Sequence, residues 1–311
     1  GKWYSTLFVQ PKDVLKEIWE GRRPGVEGAQ EHWPVDSAAS HDEMGEILST
    51  MLVKSSRIFV KMGVDPDVDE LVENEMKSNS RERQKFGLGP ISIVDPSIMI
   101  NELRLRKSAA EIDLMRYSAK IAAQAHIQAM ANTKPGVGEW QLEGIIEGLF
   151  KYCKTSGIAY PCIIGSGENA TILHYTVNDD TCDDGEVILI DAGCEYKGYA
   201  SDITRSWPVN GKFTEAQAEI YQIVLDSQIA AIDECRVGRP YDAPHKAARR
   251  VLAEGLIKLG VIEQSLEDAL ASGGDLNKWY MHNTGHWLGI DVHDVGIYRP
   301  DDEPRLFEEG M

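Results

Sequence analysis

The stretch IDAGCEYKGYASDITRSWPVNG, Ile190 to Gly211, carries Asp191 and Asp202 eleven residues apart around a glycine-bearing turn. The residues leading into it, EVILI from Glu186 to Ile190, form a short apolar run that reads as a buried strand. Tyr199 to Val209 is rich in aromatic and β-branched residues and reads as its partner, with Gly193 and Gly198 as turn residues. A hairpin folded symmetrically about Tyr196 and Lys197 sets Asp191 directly opposite Asp202. Directly opposed side chains have Cβ atoms about 4.5–5.5 Å apart, where like charges are destabilising. The pattern therefore calls for positive charge between the two carboxylates.

Outward from the hairpin, Ser108-Ala-Ala-Glu111 and Thr214-Glu-Ala-Gln217 are capping-box patterns. They predict helices from Ser108 to Asn132 and from Thr214 to Glu234. Further helices are expected over 139–155 and 243–259, and strands over 161–164 and 171–175. Residues 1–97 alternate strand-like runs such as Arg57–Lys61 with helical ones over His41–Lys54 and Asp65–Lys85, the pattern of an α/β layer domain. Gly87-Leu-Gly-Pro90 and Asp95-Pro96 are breakers and place a linker there, dividing the chain into 1–97 and 98–311. The opening, Gly1–Val9, is already strand-like, and Glu308-Glu-Gly-Met311 reads as a turn entering another strand. Both ends therefore read as cut.

The 311 residues carry a net charge of −18, without the basic footprint of a duplex-binding protein. No nucleic-acid partner is expected. Nor is a membrane partner, since no apolar run approaches the roughly 18 residues of a spanning helix. The five cysteines, Cys153, Cys162, Cys182, Cys194 and Cys235, are scattered without a C-x-x-C. That argues against a disulfide framework and for a reducing, cytoplasmic compartment.

Four histidine positions matter as well. Met281-His-Asn-Thr-Gly-His-Trp-Leu-Gly-Ile-Asp-Val-His-Asp294 holds His282, His286 and His293 among glycines, and His174 lies just upstream of the hairpin. The glycines argue against a helix, so the segment is expected to be extended, with His282 and His286 on one face. His293 faces the other way unless a turn at Gly289 resets it. A lone histidine is ordinarily a hydrogen-bonded core residue, and a lone aspartate a turn former. Two aspartates and four histidines in three short glycine-bordered stretches suit a hard or borderline divalent ion instead. Two ions about 3.5–4 Å apart, bridged by a carboxylate, would satisfy the opposed aspartates.

These stretches resemble the Xaa-Pro aminopeptidases (aminopeptidase P), metallopeptidases related to prolidase and creatinase. The resemblance lies in Ile190–Arg205, Gly285–Gly296, Gly165-Ser-Gly-Glu-Asn-Ala-Thr-Ile-Leu-His-Tyr-Thr176 and Glu17-Ile-Trp-Glu-Gly-Arg-Arg23, and runs nearly the whole length. It implies an α/β (α+β) fold: a partial creatinase-like N-terminal α/β domain, 1–97, then a pita-bread catalytic domain, 98–311, incomplete at its C-terminus. It implies hydrolysis of the N-terminal Xaa-Pro bond of a peptide with proline at position 2, through a metal-bridged hydroxide, with two divalent ions, expected to be Mn2+.

By motif match the resemblance makes Asp191, Asp202 and His286 metal ligands, with two further Glu ligands expected beyond Met311. It gives His174, His282 and His293 catalytic roles, and His282, Val292 and Trp19 contacts with substrate, Trp19 reaching the site of a neighbouring subunit. It also implies a homo-oligomer, dimer or tetramer. Two alternatives stand beside this reading: a prolidase cleaving Xaa-Pro dipeptides, and a catalytically dead truncated pita-bread module.

Overall fold

In the computed structural model, which describes residues 4–311, the breakers around residue 90 enclose a strand rather than a bare linker. The chain falls into two units, Gly1–Ile98 and Met99–Met311. Residues 1–3 of the strand-like opening lie outside the described residues.

The first unit begins with β1 (Thr6–Val9), α1 (Val14–Glu20), α2 (Gly25–His32) and β2 (Ser37–Ser40). It continues with α3 (Met44–Leu52), β3 (Arg57–Phe59), α4 (Pro66–Ser78), α5 (Ser80–Phe86) and β4 (Ser92–Val94). β1 pairs with β2 and β3 with β4, both parallel. A parallel pair needs a crossover, and a pair of helices supplies it each time. The helix expected over Asp65–Lys85 is two helices. Asn79 breaks it, because its side-chain amide donates to the Glu75 carbonyl at 2.9 Å and so competes with the helix ladder.

α6 (Ser97–Leu105) carries the chain into the second unit, where α7 (Ala109–Asn132) and α8 (Glu139–Tyr152) follow. Ser108 and Glu111 close the expected capping box on α7. Six strands follow: β5 (Gly157–Ile158), β6 (Ile163–Ser166), β7 (Val187–Ala192), β8 (Cys194–Tyr196), β9 (Tyr199–Ala200) and β10 (Ile203–Pro208). After them come α9 (Glu215–Glu234), capped by Thr214 and Gln217, then α10 (Ala243–Lys258), α11 (Leu266–Leu270) and α12 (Leu276–Trp279).

β7 is the middle strand of an antiparallel sheet ordered β10-β7-β6. Its alternation is that of a half-buried strand: Ile188, Ile190 and Ala192 are fully buried against Ile121, Ala125, Leu142, Ile146 and Phe150 of α7 and α8. At about 1.5–3 kcal/mol for each large apolar side chain fully buried, this cluster fixes the sheet on the helix pair. Asp191 points to the opposite, open face. A second cluster, with Leu252, Leu256, Ile262 and Leu276, packs α10 to α12 and Ile223 of α9.

The first and last parts of this unit are fastened together. Arg305 pairs with Glu102, Arg106 with Glu308, and the Lys107 amide donates to the Gly310 carbonyl. All five cysteines are free. No helix is long and apolar enough to cross a membrane among the described residues.

Candidate metal centre

The hairpin register differs from the symmetric one read from the sequence. β7 and β10 pair Asp191 with Thr204 and Ala192 with Ile203, and β8 and β9 pair Tyr196 with Tyr199. The turn centres on Lys197 and Gly198, whose φ values are 51° and 85°. Two consecutive positive φ angles make the primed turn that matches strand twist, and Gly198 admits it. The resulting two-residue slip preserves the face of every side chain. Asp202 therefore stays on the face of Asp191 but moves to a diagonal position. Its own partner across the hairpin is Gly193, where a Cβ would lie 1.7 Å from the Ser201 carbonyl oxygen. Only glycine lets the two strands cross so closely, and the ladder is interrupted there.

The space opened between the aspartates holds Tyr160. Its hydroxyl reaches Asp191 Oδ1 and Asp202 Oδ1, the latter at 2.9 Å. A shared phenol thus lies between the carboxylates, and His286 Nε2 lies 3.1 Å from Asp202 Oδ2. The three ionisable groups are driven apart. Burial pushes the Asp191 carboxyl up, with the Asp202 charge adding to it. Burial also opposes ionisation of Asp202, but its bonds from His286 and Tyr160 prevail and hold it below the ordinary carboxylate value. Asp202 in turn holds the His286 imidazolium above its usual range. Burial among carboxylates raises the Tyr160 phenol far above its ordinary value, so it stays a donor.

The histidine segment is not extended. The Asp294 amide donates to the Trp287 carbonyl and the Gly289 amide to the Asp291 carbonyl, so the chain turns back on itself around Gly289. This turn brings His293 beside His286, ring centroids 4.3 Å apart and edge to face. His286 Nδ1 lies 2.9 Å from the Trp287 carbonyl. A carbonyl can only accept, so Nδ1 carries a proton; in the imidazolium Nε2–H donates to Asp202, and loss of that second proton frees the Nε2 lone pair. Trp287 is itself fixed by stacking on Tyr298 at 5.2 Å and by Tyr241 at 4.8 Å.

The remaining expected residues fall elsewhere. His282 is exposed, packs edge-on against Tyr280 at 4.8 Å and faces the Asn283 carbonyl. Val292 is half-buried in the turn, and its backbone borders the His286 ring. Trp19 lies on α1 in the first unit, 88% exposed. His174 is exposed in a turn, and the strand expected over 171–175 is a short 3-10 helix, Gly167–Thr171, followed by turns. The reason is Glu139, fully buried at the start of α8. Its carboxylate accepts from the Ser166 and Asp180 amides and the Tyr175 hydroxyl at 2.8, 3.0 and 2.8 Å, pulling that segment out of the sheet. Sequence reading missed Glu139 and Tyr160; neither sits in a spacing pattern, since both act from elements distant in sequence from the residues they hold.

The donor set fits divalent metal. Two carboxylates and an imidazole of fixed tautomer converge, each with a hydrogen bond from outside that orients it, as metal ligands characteristically have. A second group, Glu143, Glu147 and Cys162, also places ligating atoms within 4.8 Å. Burial among those acids pushes the Cys162 thiol up to about 12, which favours a packed thiol over a thiolate ligand.

Residues 113–311 match the model of metallopeptidase family M24, and residues 2–59 match the aminopeptidase P N-terminal domain. The chain is 39% identical to the Xaa-Pro aminopeptidase of Escherichia coli K12 over 308 residues, covering 99% of this chain and 69% of that protein. It is 35% identical to the human Xaa-Pro dipeptidase, covering 99% of this chain and 61% of that one. The solved structure of aminopeptidase PepP from Pseudomonas aeruginosa superposes with a TM-score of 0.93 at 38% identity, covering 100% and 71% of the two chains. The chain belongs to the M24 metallopeptidases, in the branch that carries an aminopeptidase P N-terminal domain. The fold is accordingly the pita-bread domain with an α/β N-terminal domain, and the family's chemistry is metal-dependent.

Proposed function

We propose that this protein removes the first residue from peptides whose second residue is proline, hydrolysing the Xaa-Pro bond with divalent metal, Mn2+ by preference. The observation that carries the reading is that Tyr160 joins Asp191 to Asp202 and Asp202 in turn pairs with His286, so that separate segments meet at one carboxylate. Similarity to Xaa-Pro aminopeptidases over 99% of the chain supports the substrate class.

Asp191, Asp202 and His286 would hold the ions, with two glutamates expected beyond Met311. Bound there, two divalent ions supply a water of near-neutral pKa and polarise the scissile carbonyl. The chain's residues set the stage for that chemistry. The Tyr160 hydroxyl shares its proton between Oδ1 of Asp191 and Oδ1 of Asp202, while Oδ2 of Asp202 faces His286. The Trp287 carbonyl keeps the proton of His286 on Nδ1. His293, exposed beside His286, would donate to the oxyanion of the tetrahedral species, and His174 would be a second donor. His282 and Val292 would line the proline pocket, and Trp19 would meet substrate in a dimer or tetramer.

The test is release of free arginine from Arg-Pro-Pro by the Mn2+-loaded protein, run beside the dipeptide Arg-Pro. Cleavage of the tripeptide supports the aminopeptidase reading. Cleavage of the dipeptide alone replaces it with a prolidase, and cleavage of neither overturns both.

A further inference from the structure

We infer that Asp294 is a positioning residue for the histidine pair, clamped beneath the Gly289 turn by Lys107 and Arg104. The inference deepens the peptidase reading and rests on it for its kinetic consequence. Asp294 Oδ2 accepts from Lys107 Nζ at 3.0 Å and Oδ1 from Arg104, which also reaches Asp291 at 2.7 Å. The Asp294 and Lys107 side chains are only 1% and 5% exposed.

Burying charges in this way is weak as a source of stability, because desolvation offsets the attraction. Its effect here is geometric. His286 and His293 each immediately precede one of the two residues joined by the Asp294 amide and the Trp287 carbonyl. Fixing Asp294 therefore fixes both rings. The turn is shaped around the clamp, since a Cβ on Gly289 would lie 2.1 Å from Asp294 Oδ2 and 2.9 Å from Lys107 Cε. The Gly289 carbonyl also accepts from the Ala200 amide at 2.8 Å, which ties the turn to the hairpin carrying Asp202. One buried carboxylate thus registers the imidazoles against the aspartates without touching either histidine's metal or substrate face.

The experiment compares the parent protein with Asp294→Asn and Lys107→Arg. Proximity of the His286 and His293 rings is read by the nuclear Overhauser effect between their ring protons, and kcat and KM are measured on Arg-Pro-Pro with Mn2+. Asp294→Asn should lose the ring-to-ring signal and lower kcat about 10–100-fold, the range for outer residues of metal sites, with KM held within about twofold. Lys107→Arg, which keeps the charge, should retain the signal and most of kcat. Should Asp294→Asn not fold, Arg104→Gln, which leaves Lys107 in place, provides the same readouts. A lower melting temperature with the ring signal and kcat intact would reduce Asp294 to a structural residue and overturn the inference. If the parent protein cleaves nothing, the peptidase reading fails on its own, and the ring signal alone decides whether Asp294 positions the pair.

Discussion

Asp191 faces Thr204 across the hairpin while Asp202 lies diagonally beside it, and the Tyr160 hydroxyl fills the gap between the two carboxylates. A shared neutral donor between two acids that titrate apart is an arrangement with measurable consequences.

Tyr160→Phe removes that donor and keeps the ring. Metal affinity or kcat should fall about 10–100-fold, as for loss of a hydrogen bond that orients a ligand. Elemental analysis and steady-state kinetics on Arg-Pro-Pro measure it. Unchanged values for both would show that the phenol is merely packed there.

Metal binding should be coupled to protons. His286 holds its proton above the ordinary histidine value because of Asp202, and burial makes Asp191 hold its proton above the ordinary carboxylate value. Both must lose protons to become ligands. Affinity for Mn2+ should therefore weaken as pH falls, beginning above the ordinary histidine pKa of about 6.5. Calorimetry in two buffers of different ionisation enthalpy should report net proton release near pH 7, and equal heats in both would contradict it.

His286 and Asp202 give the metal-free protein a stability window. The raised His286 contributes stability that is present below its unfolded pKa and lost as pH rises through its folded one. The lowered Asp202 contributes stability that is present above its unfolded pKa and lost as pH falls through its folded one. Melting temperature without metal should thus decline on the alkaline side of about pH 6.5, and His286→Ala should flatten that decline. A decline of the same size in the variant would assign it to another group.

Glu139→Gln should cost about 2–3 kcal/mol, because an amide cannot replace a buried carboxylate that accepts from several donors. Hydrogen exchange should quicken at the Ser166 and Asp180 amides, which Glu139 now accepts from. Denaturant unfolding with exchange readout tests both. Protection left intact at those amides would mean the loop bearing His174 is held by something else.

Gly193→Ala should be poorly tolerated, since the added carbon would lie 1.7 Å from the Ser201 carbonyl oxygen. A loss of about 1–3 kcal/mol is the usual result of overpacking. Wild-type stability would show that the strands can part there at little cost.

How much of this was legible depends on how local the signal is. The capping boxes at Ser108 and Thr214 lie within one turn of chain and mark where their helices start. The paired aspartates and the histidine cluster were visible because each lies within one short stretch. The hairpin slipped by two residues because period-2 patterning cannot distinguish registers that share a face; the positive φ of Lys197 and Gly198 decided it. Residues 171–175 read as a strand because their side chains alternate suitably, while the buried carboxylate that bends them away sits on another helix. Tyr160 and Asp294 act through partners far along the chain, so nothing in their neighbours' spacing marks them.

The clasp between residues 102–107 and 305–310 has a consequence for how the protein acquires its site. Tyr160 meets Asp191 and Asp202 across sequence separations of 31 and 42 residues. Lys107 meets Asp294 only across 187, and Arg106 meets Glu308 across 202. Closing a longer loop costs more chain entropy, and contacts so distant slow folding. The contacts of the carboxylate half of the centre therefore close far shorter loops than those that clamp the imidazole half, and it is the cheaper half to assemble.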